Sequence, residues 1–184
     1  MQEPDPLDML DAAFAAHARR RPDQAASAAE FAALLRDPED PFLRTRLAGH
    51  FTASAWLVDR SRTRVLLTHH RKLGLWLQPG GHADGDRDLR QVALREAEEE
   101  SGLAGLSADP AIFDLDRHWI PDHRDVPGHW HYDVRYVVHA GEDERYVVSA
   151  ESIALAWRDI REVRDDDRAD ASLRRMADRW LGVQ

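Results

Sequence analysis

Residues 78–103, QPGGHADGDRDLRQVALREAEEESGL, are the stretch of this 184-residue chain that decides its fold. The first half is rich in glycine and aspartate, and the adjacent Gly80 and Gly81 allow the backbone to approach a ligand closely. The second half predicts a helix that ends at Gly102, because glycine commonly follows the C-terminus of a helix. The preceding segment LWL, at 75–77, predicts a short strand that runs into the loop.

Three glutamates of the predicted helix share one helical face. Glu96, Glu99 and Glu100 are spaced i, i+3 and i+4, whereas Glu98 lies on a different face. Their repulsion destabilises an isolated helix, and the helix dipole disfavours negative charge near the C-terminus. A hard divalent cation, Mg²⁺ or Mn²⁺, would turn this repulsion into coordination by carboxylate oxygens. Taken alone, the cluster is equally compatible with a solvated acidic face.

The stretch resembles the Nudix box, G-x5-E-x7-R-E-U-x-E-E-x-G-U, over residues 81–103. The positions that match its glycines, its arginine and its later glutamates are Gly81, Arg95, Glu96, Glu99, Glu100 and Gly102. The segments LWLQPGG and AWRDI also resemble strands that flank the box in this family. The resemblance extends over residues 50–182 and leaves the N-terminal segment outside it.

Two positions depart from the family pattern. Arg87 stands where the first glutamate of the box is expected, and Ala97 stands where a bulky aliphatic residue is expected. Arginine and carboxylate form a good bidentate pair, so Asp86 or Asp88 could hold Arg95 in place of the missing glutamate.

The resemblance implies a metal-dependent hydrolase that cleaves the diphosphate linkage of a nucleoside diphosphate joined to another group. The implied cofactor is Mg²⁺ or Mn²⁺, and the implied partner is a small-molecule nucleotide or nucleotide-sugar derivative. The metal ligands carried over by position are Glu96, Glu99, Glu100 and the carbonyl of Gly80. The implied catalytic residues are Glu99, Glu100 and Arg95. The predicted substrate contacts are Gly81, His82 and Arg71, where His82 could instead hold the loop together.

The general base is left open between the box helix and a later loop. The candidates are Glu100, Glu142, Glu144 and Glu151. Glu100 is preferred because it lies beside the predicted metal ligands.

The elements along the chain predict an α/β (α+β) fold. Residues 48–184 are expected to form a Nudix-type α/β/α sandwich with a mixed sheet, preceded by a helical extension over 1–47. Within the extension, helical apolar spacing over 6–36 is interrupted by RRRPD at 19–23, which predicts a helical hairpin. The hairpin is expected to pack on the main domain or on a partner in a homodimer, or else to cap the substrate.

A strand near the middle of the chain alternates polar and apolar residues. The polar face would carry His129, His131, Asp133 and Arg135. One interpretation is a metal site formed by His129, His131 and Asp133. The other is a polar strand face that lines the substrate cleft or faces solvent.

Composition excludes several classes of function. A net charge of −9, from 34 acidic and 25 basic residues, argues against coating nucleic acid or anionic membranes. The absence of cysteine excludes disulfides, thiol nucleophiles, cysteine-ligated zinc and iron–sulfur clusters. Without an apolar run long enough for a signal peptide or a membrane span, a cytoplasmic location is expected.

Two alternatives to a hydrolase remain within the resemblance. An isomerase that acts on isopentenyl diphosphate is disfavoured. That chemistry in its usual form resembles proton transfer by a cysteine and a glutamate, and this chain has no cysteine. A nucleotide-binding or regulatory module with weakened catalysis is favoured by Arg87 and disfavoured by the intact Glu96, Glu99 and Glu100.

Overall fold

The computed structural model describes residues 5–70, 74–122, 126–148 and 152–182. The helices in these ranges are α1 (Pro6–Arg20), α2 (Ala25–Leu35), α3 (Leu89–Ser101), α4 (Ile160–Asp165) and α5 (Ala171–Trp180). The strands are β1 (His50–Val58), β2 (Arg64–His70), β3 (Trp76–Leu77), β4 (Gly80–His82), β5 (Ser107–Ile120), β6 (His129–His139) and β7 (Ser152–Asp159). None of these helices has the length and apolarity needed to cross a membrane.

The strands form a mixed sheet in the order β3-β2-β1-β6-β5, with β4 paired to β1 and β7 paired to β2. β1 and β6 run parallel, and the other described pairs run antiparallel. Alternate residues of β1 face opposite helix layers. Leu57 packs in one cluster with Ala97 of α3, whereas Trp56 packs in another with Leu173 of α5. The predicted α/β (α+β) sandwich is confirmed.

The face of β1 that carries Trp56 is polar over the first half of the strand. Its parallel register pairs His50 with His131, Thr52 with Asp133, and Ser54 with Arg135. Side chains that lie directly opposite one another share a face of the sheet. The polar residues of β1 and β6 therefore form one continuous strip, which ends at the apolar cluster under α5.

The short strand β4 presents its residues to both faces. Gly81 lies opposite Ala53 of β1, and His82 lies opposite Thr52. Ala53 packs in the core beneath α3, so Gly81 faces that helix. His82 shares its face with Thr52 and hence with His50, two residues earlier on β1.

Helix α3 forms where the sequence predicts it. It begins after Asp88, whose carboxylate accepts the backbone N–H of Gln91 at 3.1 Å, and ends at Gly102, which has φ of 67°. Val92 and Ala97 are fully buried on its inner face. The small residue at position 97 therefore fits a close approach of the helix to the sheet.

The predicted helical hairpin is confirmed as α1 and α2, joined through a 3-10 turn, Pro22–Gln24. Phe14 of α1 and Phe31 of α2 lie 6.1 and 6.2 Å, between ring centroids, from Phe51 of β1. The hairpin thus packs on the sheet in one continuous core. The division of the chain between residues 47 and 48 stays a prediction.

A buried polar network joins the hairpin to the C-terminal helix. Asp114 of β5 is fully buried and accepts hydrogen bonds from Gln24 Nε2 at 2.9 Å and Arg175 Nη2 at 2.7 Å. Arg179 Nη1 donates to Asp114 at 2.5 Å and to the side-chain oxygen of Gln24 at 3.1 Å. Distant parts of the chain therefore depend on the same carboxylate.

Candidate active site and histidine cluster

Two of the predicted glutamate ligands meet the backbone of β4. The N–H of Gly80 donates to Glu100 Oε1 at 2.9 Å. A Cβ atom added at Gly81 would overlap the carboxylate of Glu96, so this contact requires glycine. The structure therefore brings Gly80, Gly81, Glu96 and Glu100 together at the surface between α3 and the sheet.

Glu99 differs from the other two glutamates in its surroundings. Glu96 and Glu100 are half-buried, whereas Glu99 and the neighbouring Glu98 are both exposed. Helical spacing keeps Glu99 within one turn of Glu96. Burial alone does not separate Glu99, the predicted ligand, from Glu98, the residue on another face.

Asp86 holds the arginine of the box. Its Oδ2 accepts from Arg95 Nη1 at 3.1 Å, whereas Asp88 caps the start of α3 instead. Arg87 turns away to pair with Asp40, at 3.4 Å. Of the two carboxylates that the sequence offered as a replacement for the missing glutamate, the structure selects Asp86.

The candidates for a general base outside α3 lie in a different part of the molecule or outside the residues that the structure describes. Glu144 accepts from the backbone N–H of Arg60 at 2.8 Å and from Arg64 Nη2 at 2.9 Å, so it stabilises the turn between β1 and β2. Glu142 and Glu144 line a cavity of 520 Å³ at that turn, whose lining includes no residue of α3. Glu151 and the predicted substrate contact Arg71 lie outside the described residues.

A cluster of four histidines lies on the opposite face of the sheet from α3. One ring nitrogen from each of His50, His82, His129 and His131 lies within 4.8 Å of each of the others. His129 Nε2 and His131 Nε2 are 3.1 Å apart. We call this group the histidine cluster.

Alternation along β6 correctly predicted that His129 and His131 share one face, and one interpretation added Asp133 to them as a metal ligand. In the structure, the carboxylate of Asp133 accepts hydrogen bonds from Thr52 at 3.0 Å and Ser54 at 2.6 Å, and pairs with Arg135 at 2.8 Å. The cluster takes His50 and His82 instead. Sequence reasoning missed them because three strands distant along the chain bring the four rings together.

Burial lowers the pKa of three histidines of the cluster. The pKa of His82 falls to about 4 and that of His131 to about 2; burial is the largest cause, with smaller contributions from Arg44 beside His82 and from the neighbouring imidazoles. Burial also lowers the pKa of His50. At neutral pH these three imidazoles are neutral. Each therefore has one ring nitrogen whose lone pair can accept a hydrogen bond or bind a metal ion.

Comparison with known families agrees with the box and the fold. The family model described as the NUDIX domain matches residues 49–180. The chain belongs to the NUDIX family. The match begins after the helical hairpin and includes the whole described sheet.

Two curated NUDIX relatives are similar in sequence. The m7GpppN-mRNA hydrolase NUDT17 of Bos taurus is 34% identical over 104 residues, which are 53% of this chain and 34% of the relative. The putative 8-oxo-dGTP diphosphatase 3 of Mycobacterium tuberculosis is 32% identical over 127 residues, 64% of this chain and 56% of the relative. The alignments thus span less than two thirds of either relative.

Solved NUDIX structures share the fold at low sequence identity. A NUDIX-family hydrolase from Clostridium perfringens has a TM-score of 0.57 and 20% identity, covering 73% of this chain and 98% of its own. The MutT protein from Methanosarcina mazei Go1 has a TM-score of 0.58 and 18% identity, covering 79% and 97%. Both matches cover nearly all of the neighbour, so the sheet and its helices share the fold of these NUDIX structures.

Proposed function

We propose that this NUDIX protein is a metal-dependent pyrophosphohydrolase that cleaves the diphosphate linkage of a nucleoside diphosphate derivative. The observation that supports this most directly is the contact of Glu96 and Glu100 with the Gly80–Gly81 backbone. It places carboxylates of the box against backbone that can approach phosphate closely.

The residues at this site suit Mg²⁺ or Mn²⁺. Carboxylate and carbonyl oxygens are the ligands that these hard ions prefer, and Glu96, Glu99, Glu100 and the Gly80 carbonyl would supply them. The missing Cβ at Gly81 provides the space that the Glu96 carboxylate occupies. A bound ion would neutralise phosphate charge, polarise a phosphoryl oxygen and lower the pKa of a bound water.

The protein's own contribution is positioning. The N–H of Gly80 holds one oxygen of Glu100, so the direction of that carboxylate is defined before substrate arrives. Glu100 is our proposed base and takes the proton from the attacking water. Asp86 orients Arg95, and the guanidinium donors that Asp86 does not use can bind phosphate oxygens. Gly81 and Arg71 are the proposed substrate contacts, whereas His82, the third contact implied by the resemblance, faces the histidine cluster.

The substrate class is a nucleotide or nucleotide sugar, as the family's chemistry suggests. The names of the two curated relatives specify an mRNA cap and 8-oxo-dGTP as the substrates of those proteins. A panel should therefore include a capped RNA, 8-oxo-dGTP, a dinucleoside polyphosphate and a nucleoside diphosphate sugar.

The test is turnover of this panel with Mg²⁺, with Mn²⁺ and with chelator, measured by chromatography of the nucleotide products. We expect metal-dependent cleavage within the pyrophosphate of at least one substrate. The Glu98→Gln protein, prepared in the same way, is the control: it changes a glutamate on a different helical face and should keep most of the turnover. Tight nucleotide binding without turnover under any metal would contradict the proposal and favour a binding or regulatory module.

A further inference from the structure

The histidine cluster has the composition and spacing of a metal site separate from the glutamates. We propose that His50, His82, His129 and His131 bind one Zn²⁺ ion in a closed, four-coordinate site that fastens β4 to β1 and β6. Tetrahedral zinc with bonds of about 2.0–2.1 Å to nitrogen needs ligand atoms roughly 3.3 Å apart. The nitrogens of the cluster lie within 4.8 Å of one another, and the His129–His131 pair is already at 3.1 Å. Small rotations of the rings would complete the geometry.

His50 provides a second, independent observation. Its side chain is 1% exposed, and its Nδ1 lies 3.1 Å from the carbonyl oxygen of Arg46. A carbonyl can only accept, so Nδ1 carries the proton and Nε2 carries the lone pair. Within the described part of the chain, this buried Nε2 has no hydrogen-bond partner. Buried polar atoms rarely remain unpaired, and a metal ion at the centre of the cluster is the partner that this lone pair requires.

His129 repeats the arrangement of His50. Its Nδ1 lies 2.9 Å from the carbonyl oxygen of Pro127, which fixes the proton on Nδ1 and presents the Nε2 lone pair to His131. Histidines that bind metals characteristically donate their other ring N–H to a carbonyl or carboxylate. Two of the four rings are therefore held in the tautomer and orientation that a metal ligand needs.

The ligand chemistry selects zinc over the ions expected at the glutamates. Imidazole suits Zn²⁺ and its late transition-metal neighbours, whereas Mg²⁺ and Mn²⁺ prefer oxygen. Four protein ligands without an open position are characteristic of structural zinc. The site would hold His82 against the sheet, and His82 directly follows the Gly80–Gly81 segment that contacts Glu96 and Glu100. Zinc on one face would thereby stabilise the backbone used on the other.

The first test measures metal content of the wild-type chain, prepared without a histidine tag. Protein stripped with chelator is equilibrated with Zn²⁺ in a large excess of Mg²⁺, desalted and analysed by elemental mass spectrometry. We expect one zinc per chain and a melting temperature raised by roughly 5–10 °C when free zinc is a hundredfold above its Kd. Replacement by Co²⁺ should give the visible absorption of tetrahedral cobalt. Substantially less than one zinc per chain, or octahedral cobalt, would overturn the proposal.

The second test locates the ion with matched variants. His129→Gln and His131→Gln should each weaken zinc binding by more than the roughly 10–100-fold typical of an outer-sphere partner. The control His139→Gln changes a histidine of the same strand that pairs with Asp109 at 3.0 Å, and it should bind zinc normally. Glu96→Gln should also retain zinc, because the glutamates form a different site. Retention of zinc by both cluster variants, or equal loss in either control, would refute the assignment. Circular dichroism checks the folding of each metal-free variant, and the wild-type cobalt spectrum decides the case independently of the variants.

Discussion

The two faces of β4 carry different chemistry within consecutive residues. Gly81 faces α3 and makes room for the carboxylate of Glu96, whereas His82 faces the histidine cluster. The glutamate face carries carboxylates that are partly open to water, and its side chains offer oxygen atoms. The histidine face is more deeply buried, and its side chains offer nitrogen atoms. A strand of three residues can therefore serve two sites of opposite ligand preference, since its side chains alternate between faces.

The largest expected effect is the loss of activity when one carboxylate charge is removed from the glutamate face of α3. Glu100→Gln keeps size and helix propensity but removes the proposed base and a charged ligand. We expect kcat/KM to fall by about 10²–10⁴-fold. Glu99→Gln should also reduce activity strongly, whereas Glu98→Gln should keep most of it. Steady-state kinetics with Mg²⁺ measure these effects, and equal losses at Glu98 and Glu99 would refute the helical-face argument.

Substitution of the two glycines of β4 should separate metal binding from folding. In Gly81→Ala the new methyl group meets the end of a flexible side chain, so Glu96 must move while the fold survives. We expect Mg²⁺ affinity to drop by about tenfold, equivalent to 1.4 kcal/mol, in a calorimetric titration. Gly80→Ala meets the backbone and Cβ of β1, and should instead lower the free energy of unfolding by about 1–3 kcal/mol. Unchanged metal affinity in Gly81→Ala would argue against Glu96 as a ligand.

As the pH is lowered, protonation of the histidines should reduce the free energy of unfolding of the metal-free protein before the aspartates are protonated. His82 and His131 have pKa values of about 4 and about 2, below the ordinary value of 6.5, so the unfolded chain binds more protons than the folded one. Stability is therefore full above pH 6.5 and is lost as the pH falls toward 4. After allowance for the partial exposure of His82, we expect a loss of about 1–2 kcal/mol between pH 7 and pH 5.

Urea denaturation of chelator-treated protein across this pH range measures the effect. The double substitution His82→Gln and His131→Gln should reduce this pH dependence, and the lowered pKa values of His17 and His50 leave a smaller remainder. Asp59, Asp84 and Asp116 have pKa values held below 3.8 by their hydrogen-bond partners and neighbouring arginines, so their contribution is lost only below that pH. A wild-type curve that is level from pH 7 to pH 5 would contradict the prediction.

The smallest effect is expected at the replacement for the missing box glutamate. The Arg95–Asp86 pair is more than one-third exposed on both sides, which limits its value to roughly 0.2–1 kcal/mol. Asp86→Asn should therefore lower kcat/KM by about fivefold or less. Asp88→Asn is the matched control, because asparagine caps a helix as well as aspartate does. A loss in the control as large as that in Asp86→Asn would show that the helix start, and not the arginine, is responsible.

Local patterns made the glutamate face predictable from sequence. The spacing of Glu96, Glu99 and Glu100 and the terminator Gly102 are contained in one helix, so their placement needed no knowledge of the rest of the chain. The choice between Asp86 and Asp88 was not predictable, because both lie near the start of α3. Only the structure shows that one caps the helix and the other holds Arg95.

The histidine cluster could not be predicted from the sequence, because it depends on pairing between strands that are distant along the chain. Alternation along β6 placed His129 and His131 together, yet their neighbours depend on the parallel register that sets His50 opposite His131. Parallel pairing brings together segments far apart in sequence, for which a single sequence offers no local signal. The interpretation that joined Asp133 to His129 and His131 in a metal site is wrong for the same reason, since the carboxylate of Asp133 accepts hydrogen bonds from Thr52 and Ser54 of β1.

The shared carboxylate of Asp114 sets a limit on how the chain can be shortened. The family match begins at residue 49, which invites an expression boundary there. Such a cut would remove Gln24, a partner of both Asp114 and Arg179, and would uncover Phe51, which is fully buried. The remaining fragment would expose a ring to water and leave a buried network incomplete. A fragment meant to fold therefore needs to contain both the hairpin and the last helix.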